Sequence, residues 1–465
     1  MSKLDQVLKQ VDENLEASTA RLFDLLKIKS ISTDPAYKDE CAKAAQWLAQ
    51  ALSQIGFSAS VRQTPGHPMV VAHDESFQDT SKPHVLFYGH YDVQPVDPLD
   101  LWDADPFEPA IKEVNGVKQI CARGASDDKG NLMTFVEACR AYRDIQGALP
   151  INVSFLFEGE EESGSPSLIP FLNANKDELK TDLALVCDTT MWNAKTPAIT
   201  TMLRGLVGEE ITITGPNRDL HSGGYGGAAR NPIHVLTRIL ADLRDDTGKI
   251  TLPGFYDGVI DLPKQVTDSW ARLGATDETL LRDVGLKQAA GEQGFSALEQ
   301  TWTRPTCEVN GISGGYGGEG FKTVLPSRAS AKISFRLVGH QDPDKIRDSF
   351  RAFVRQRIPG DCSVEFEEHG TSPAVFIPTD SDHVKNAAIA LSNEWKADAA
   401  LIGSGGSIPI VGDFKTVLGM DSLLTGFALD NDNIHSPNEK YDLKSYHKGI
   451  RSWVRILHAL ANGAE

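Results

Sequence analysis

Between Leu4 and Ile28 apolar residues recur at helical spacing, at Leu4, Val7, Leu8, Val11, Leu15, Leu22, Leu25 and Leu26, with charges between them. That period predicts one amphipathic helix lying on a domain surface, and the balance of acid and base on its polar face disfavours a membrane-seeking role. A second helix is expected over 39–55, short strands over 59–62 and 69–72, and a Pro- and Asp-rich loop over 97–108. The pattern then changes to short, continuous apolar runs that stop at polar residues: 84–92, 117–122, 151–157 and 182–186. Runs of this length bounded by turn residues predict buried strands, and a helix over 131–144 falls between two of them. Strands alternating with helices predict a mainly parallel, doubly wound α/β sheet, in which ligands gather beyond the carboxyl ends of the strands.

From about Arg204 the rhythm differs. Strand 209–214, helix 232–242, strand 329–337, helix 342–355 and strand 363–368 predict an α+β sandwich of the ferredoxin-like kind, interrupted by a charged insertion at about 250–306. Beyond about Ser381 a helix and a strand over 422–428 resume the first style, so the smaller domain, 206–380, is inserted into a larger one made of 1–205 and 381–465. The hexapeptide Ser-Gly-Gly-Tyr-Gly-Gly occurs at Ser222 and Ser313, too short for a repeat architecture, and both copies are expected to be flexible loops.

Length and charge narrow the function. A chain of 465 residues can bury a large core and is long for one domain. A formal net charge of -18 excludes nucleic acid and anionic membrane surfaces as favoured partners, since both would be repelled. No apolar run approaches the roughly 18 residues a membrane span needs. The six scattered cysteines, with no C-x-x-C pair, are expected to be reduced thiols of a cytoplasmic protein.

The chemistry lies where the strands end. His90 and Asp92 are two apart at the end of the central run and lie on one side of an extended chain. Asp127 follows the next strand at a tight turn before a helix, Glu160–Glu162 follow the third and Asp188 the fourth. Imidazole and carboxylate together suit zinc, and two ions close together need one shared carboxylate with unshared ligands on either side. Of two adjacent glutamates, one can bind metal while its neighbour faces elsewhere and takes a proton from water.

Six motifs carry a resemblance that spans nearly the whole chain: Gly89-His90-Tyr91-Asp92-Val93-Gln94-Pro95, Arg123-Gly-Ala-Ser-Asp127-Asp-Lys-Gly130, Glu158-Gly-Glu-Glu161-Glu162-Ser-Gly-Ser165, Leu220-His221-Ser-Gly-Gly224, Gly405-Gly-Ser-Ile-Pro409 and Ile434-His435-Ser-Pro-Asn-Glu-Lys440. In this order they resemble the di-zinc peptidases of the carnosinase and cytosolic nonspecific dipeptidase family, relatives of aminoacylases and desuccinylases. The resemblance implies that His90 and Asp188 bind one Zn2+, that Glu162 and His435 bind the other and that Asp127 bridges them, with Mn2+ as an alternative ion. Asp92 would orient His90, and Glu161 would be the general base. His221, from a lid and dimerisation domain and often from the partner subunit, would donate to the oxyanion. Arg336, with Gly406 and Ser407, would hold the substrate's terminal carboxylate. A homodimer cleaving dipeptides or short peptides is expected.

Alternatives with different sequence signatures remain. An N-acyl amino acid deacylase would share the metal constellation, although the insertion and the Gly-Gly-Ser-Ile-Pro loop favour a dipeptidase. A non-catalytic peptide-binding protein on the same fold would have lost the base, and Glu161 is present. A serine hydrolase is suggested only by Gly311-Ile-Ser313-Gly-Gly315, which lacks a buried strand before it and a helix after it. The family's charged residue before Gly-Gly-Ser-Ile-Pro is replaced here by Gly403-Ser404, which bears on substrate side-chain preference.

Overall fold

The structure is a computed structural model and describes residues 2–262, 264–282, 284–406 and 408–464. It divides into two compact units, one of residues 1–201, 377–402 and 413–465 and the other of 202–376 and 403–412.

The first unit is built on a mixed sheet whose strand order begins Ser58–Arg62, Met69–His73, Asn152–Glu158, His84–His90, Leu183–Val186, Asp421–Leu424 and Ala198–Leu203. The four strands from Asn152–Glu158 to Asp421–Leu424 are mutually parallel, whereas those on either side join antiparallel. The expected parallel, doubly wound core is therefore present inside a wider mixed sheet. Its strands are covered on both faces, which is why they read as unbroken apolar runs: Val85, Leu86, Phe87 and Tyr88 are all buried. The helix Leu443–Asn462 packs against Lys129–Gln146 and Asp382–Trp395. The helix expected over 4–28 is two, Lys3–Glu13 and Leu15–Leu26, because Asn14 leaves helical geometry at φ −104°, ψ 9°. A hairpin of Ala110–Val114 and Val117–Cys121, extended by Lys440–Asp442, forms a separate three-stranded sheet.

Aromatic packing holds the centre of this unit. The Phe87 ring stacks on Phe135 with centroids 3.9 Å apart, and Trp453 meets both edge-on. Truncating a buried ring removes its transfer energy and leaves a cavity, so Phe87→Ala is expected to cost about 3–5 kcal/mol, measured by urea unfolding of metal-free protein.

The second unit contains a four-stranded antiparallel sheet in the order Thr306–Gly314, Arg328–Leu337, Gly205–Thr214 and Ser363–Ser372. With helices Pro232–Ala241 and Pro343–Arg355 between the strands in sequence, this is the expected ferredoxin-like succession, its strands lying in the spatial order second, third, first, fourth. Burial alternates residue by residue along Gly205–Thr214, so one face is packed and the other open. The hexapeptide expectation is corrected on both copies. Ser222–Tyr225 forms a short helix, and Ser313-Gly314 ends the edge strand Thr306–Gly314. That strand escaped notice because it is mostly exposed and its register shifts between Val309 and Gly311. Among the described residues no helix is long and apolar enough to cross a membrane.

Candidate metal centre

Three of the four parallel strands of the first unit lead to site residues as their apolar runs end, His84–His90 to His90, Asn152–Glu158 to Glu161 and Glu162, and Leu183–Val186 to Asp188. Asp127 instead follows the hairpin strand Val117–Cys121 of the separate sheet, a correction to the single parallel sheet expected. His90 closes the central strand and is completely buried. Its Nε2 lies 3.0 Å from Asp127 Oδ1 and 4.0 Å from Asp188 Oδ2. Asp127, just before the helix Lys129–Gln146, turns its other oxygen, Oδ2, to His435 Nε2 at 2.9 Å. That same His435 nitrogen is 3.2 Å from Glu162 Oε2. Two groups of potential ligand atoms result, His90–Asp127–Asp188 and Asp127–Glu162–His435, each lying within 4.8 Å of one another and both using Asp127. Imidazole and carboxylate in threes, with one carboxylate shared, are a donor set that fits a pair of divalent ions.

Asp92 is buried and has two tasks. Its Oδ1 lies 3.4 Å from His90 Nδ1, whose nearer contact is the Asp92 carbonyl at 3.2 Å. The same carboxylate accepts the backbone N–H groups of Glu161 at 3.3 Å and Glu162 at 3.0 Å. The histidine and the acidic turn are thus held by one side chain, and the second task was not foreseen from sequence. Gln94 Nε2 donates to Glu162 Oε2 at 2.6 Å, a further contact the sequence did not reveal.

The electrostatics follow from crowding. Hydrogen bonds that the His435 ring donates to Asp127 and Glu162 raise its pKa to about 10. Burial acts against protonation of His90, but hydrogen bonding to Asp127 and Asp92 prevails and raises it. Burial raises Glu161 to about 7; His90 opposes the shift, and the charges of Glu162, Asp92 and Asp127 add to it. A carboxylate near neutrality is suited to taking and returning a proton.

In the second unit His221 ends the short strand Leu220–His221 and is exposed. Gly223 N–H donates to its Nδ1 at 2.9 Å, which leaves the proton of the neutral ring on Nε2, as a hydrogen-bond donor requires. Arg336 is half-buried in the strand Arg328–Leu337, with no acidic partner within ion-pair distance among the described residues. Burial, and then the charge of Arg336, lower the pKa of neighbouring Arg204 to about 10. Arg204 was not singled out from sequence. Its Nε donates to the Gly405 carbonyl at 3.0 Å, its Nη1 to that of Gln300 at 3.4 Å, and its backbone N–H to that of Gly406 at 3.1 Å. Ser407 lies outside the described residues. The Gly403-Ser404 departure has a steric counterpart, since a Cβ on Gly403 would come within 2.8 Å of the Trp302 side chain, so a larger residue there requires the indole to shift.

Two other groupings do not compete. Ser313, the centre of the apparent serine motif, sits on an exposed edge strand with no elbow. Glu210, Glu367 and His369 cluster on the open face of the second unit's sheet, but Lys332 Nζ already pairs with Glu210 at 2.7 Å.

A model of Peptidase family M20/M25/M40 matches residues 86–459, a span that contains every residue of the two ligand groups. The chain belongs to that family. It is therefore a metal-dependent hydrolase, as the six motifs implied. The M20 chain is 28% identical to the Cys-Gly metallodipeptidase dug1 of Schizosaccharomyces pombe, over 99% of its length and 98% of the relative's. It is 27% identical to the Beta-Ala-His dipeptidase of Homo sapiens, over 98% and 93% of the two chains. Among solved structures it superposes on the M20 metallo-carboxypeptidase Sso-CP2 of Sulfolobus solfataricus with a TM-score of 0.82, 32% identity and coverage of 96% and 99%.

Proposed function

We propose that this chain is a zinc-dependent dipeptidase whose catalytic unit is the first and whose inserted unit supplies a lid. The observation that carries this reading is the split of Asp127, one carboxylate oxygen to each of two histidines, with Asp188 and Glu162 completing the two sides. His90 and Asp188 would hold one Zn2+, Glu162 and His435 the other, and Asp127 both, with Mn2+ as the alternative ion. When bound, such a pair supplies Lewis acidity, lowering the pKa of water and polarising the scissile carbonyl.

The chain's own residues then divide the work. Glu161, outside both ligand groups, takes the proton from the attacking water and returns it to the leaving amine. Asp92 keeps His90 in register and fixes the turn that separates Glu161 from Glu162. His221 donates from Nε2 to the oxyanion, from the partner subunit of a homodimer. Arg336, with no acidic partner within ion-pair distance among the described residues, would offer its guanidinium to the substrate's carboxylate, and Gly406 and Ser407 would add backbone and hydroxyl donors to the same group. The dipeptidase names of the relatives support this substrate class, and the absence of a membrane-spanning helix among the described residues fits a cytoplasmic enzyme.

The test is hydrolysis of a panel of dipeptides and N-acyl amino acids by chelator-stripped protein before and after zinc or manganese is restored. Metal-restored cleavage of dipeptides is the expected outcome. Restored activity on acyl amino acids alone would make the enzyme a deacylase, and no turnover with two ions bound would leave a peptide-binding protein.

A further inference from the structure

The two ligand groups meet on a loop held from beneath by a side chain with no part in them. Glu439 lies four residues beyond His435 and is completely buried. Its Oε1 accepts the backbone N–H groups of Ser126 at 2.9 Å and Asp127 at 3.0 Å. Its Oε2 accepts Gly124 N–H at 2.9 Å and Arg123 Nη1 at 2.8 Å. One carboxylate thus gathers four donors from five consecutive residues, ending on the shared ligand Asp127. Arg123 is buried too, and its Nη2 donates to the Pro95 carbonyl at 3.0 Å.

The other end of this tie is the loop that carries His435. There Asn433, His435 and Asn438 all have positive φ, at 56°, 60° and 61°. Such conformations cost free energy in residues other than glycine and persist only where the surroundings over-determine them. Glu439 is one determinant, through both its side chain and its carbonyl, which accepts Ala122 N–H at 3.2 Å. Asp432 is another, accepting Ser126 Oγ–H at 2.8 Å on a carboxylate that also pairs with Lys440. The loops of Asp127 and His435 are therefore cross-tied twice, and Glu439 is the tie that reaches Asp127 itself.

We propose that Glu439 is a positioning residue that sets the affinity of both halves of the metal centre at once, by holding Asp127 midway between His90 and His435. A carboxylate can serve two ions only if each oxygen is held within a few tenths of an ångström of its place, and the backbone of Asp127 has no regular secondary structure to hold it there. The inference rests on the two-group reading of the centre but not on the choice of substrate.

The experiment titrates chelator-stripped Glu439→Gln and Glu439→Asp with Zn2+ and follows Co2+ spectra of the same proteins. The Gln variant puts an NH2 group against donors, and the Asp variant keeps the charge but withdraws it by one methylene. Both ions are expected to bind about 10–100-fold more weakly in the Gln variant, the range found when a group supporting metal ligands is removed. The Asp variant should fall between Gln and wild type, with altered Co2+ d–d bands, and it gives the answer should the Gln variant not fold. Wild-type affinity for both ions in folded variants, with only the metal-free melting temperature lowered, would reduce Glu439 to a structural residue. Weakening of one ion alone would overturn the shared role. Wild-type protein that binds two ions but cleaves no dipeptide would defeat the dipeptidase reading and leave this one standing.

Discussion

Glu161→Gln is expected to lower kcat by roughly a thousandfold while both metal ions stay bound, since positioned general bases contribute about 10²–10⁴. Glu161 belongs to neither ligand group, and its backbone N–H, not its side chain, is what Asp92 holds, so the amide variant leaves the metal ligands in place. What it removes is the proton acceptor. Metal content by elemental analysis and kcat on a cleaved dipeptide together make the check. Turnover within tenfold of wild type would place the base elsewhere. A pH profile adds a second reading. The base works ionised, so kcat/KM must rise with pH through its pKa, which burial sets at about 7 without metal and which added positive charge lowers. The acidic limb should therefore lie at or below neutrality and should be missing from the variant.

The separation of Glu161 from Glu162 in that prediction was visible in the chain because both follow a buried strand. Continuous apolar runs such as Val85–Tyr88 announce strands covered on both faces, and in a parallel sheet all of them end on one side, so Glu162 and Asp188 could be placed beside His90 before any coordinates, whereas Asp127 follows Val117–Cys121, a strand of a separate antiparallel sheet. The edge strand Thr306–Gly314 and the strand Ala110–Val114 gave no such signal, because water covers most of their side chains, and the strand expected over 117–122 is present as Val117–Cys121 but in the separate hairpin sheet, with Ile120 its one buried residue. Glu439 shows a different kind of blindness. Its residue type and place in the sixth motif were plain, but three of its four side-chain partners are backbone N–H groups, which every residue except proline possesses. Arg204 was hidden likewise, its hydrogen bonds among the described residues ending on the main-chain carbonyls of Gly405, Gln300 and Gly406. Sequence exposes the groups that do chemistry through their type; the groups that hold them act through the backbone and emerge only with the fold.

Metal uptake by the stripped protein is expected to release protons and to strengthen steeply with pH. Without metal, His435 stays protonated up to about pH 10 through its bonds to Asp127 and Glu162, and His90 is also held in its charged form. An imidazolium has no lone pair for a metal, so each ion must displace one proton from its histidine. Below the histidine pKa this makes apparent affinity rise about tenfold per pH unit, or roughly a hundredfold per ion between pH 6 and 8. The sign for the metal-free fold is opposite. The folded pKa of His435 exceeds its unfolded value of 6.5, so its ion pairs stabilise fully below about pH 6.5, and that contribution disappears as pH rises towards about 10. The term is small because the ring is half-exposed. Zinc should accordingly raise the melting temperature more at pH 8 than at pH 6. Calorimetric titration in two buffers of different ionisation enthalpy counts the protons directly, with close to one per ion expected near pH 7. A buffer-independent heat together with a flat affinity profile would show that neither His90 nor His435 is a ligand, and the proposed centre would have to be rebuilt from the carboxylates alone.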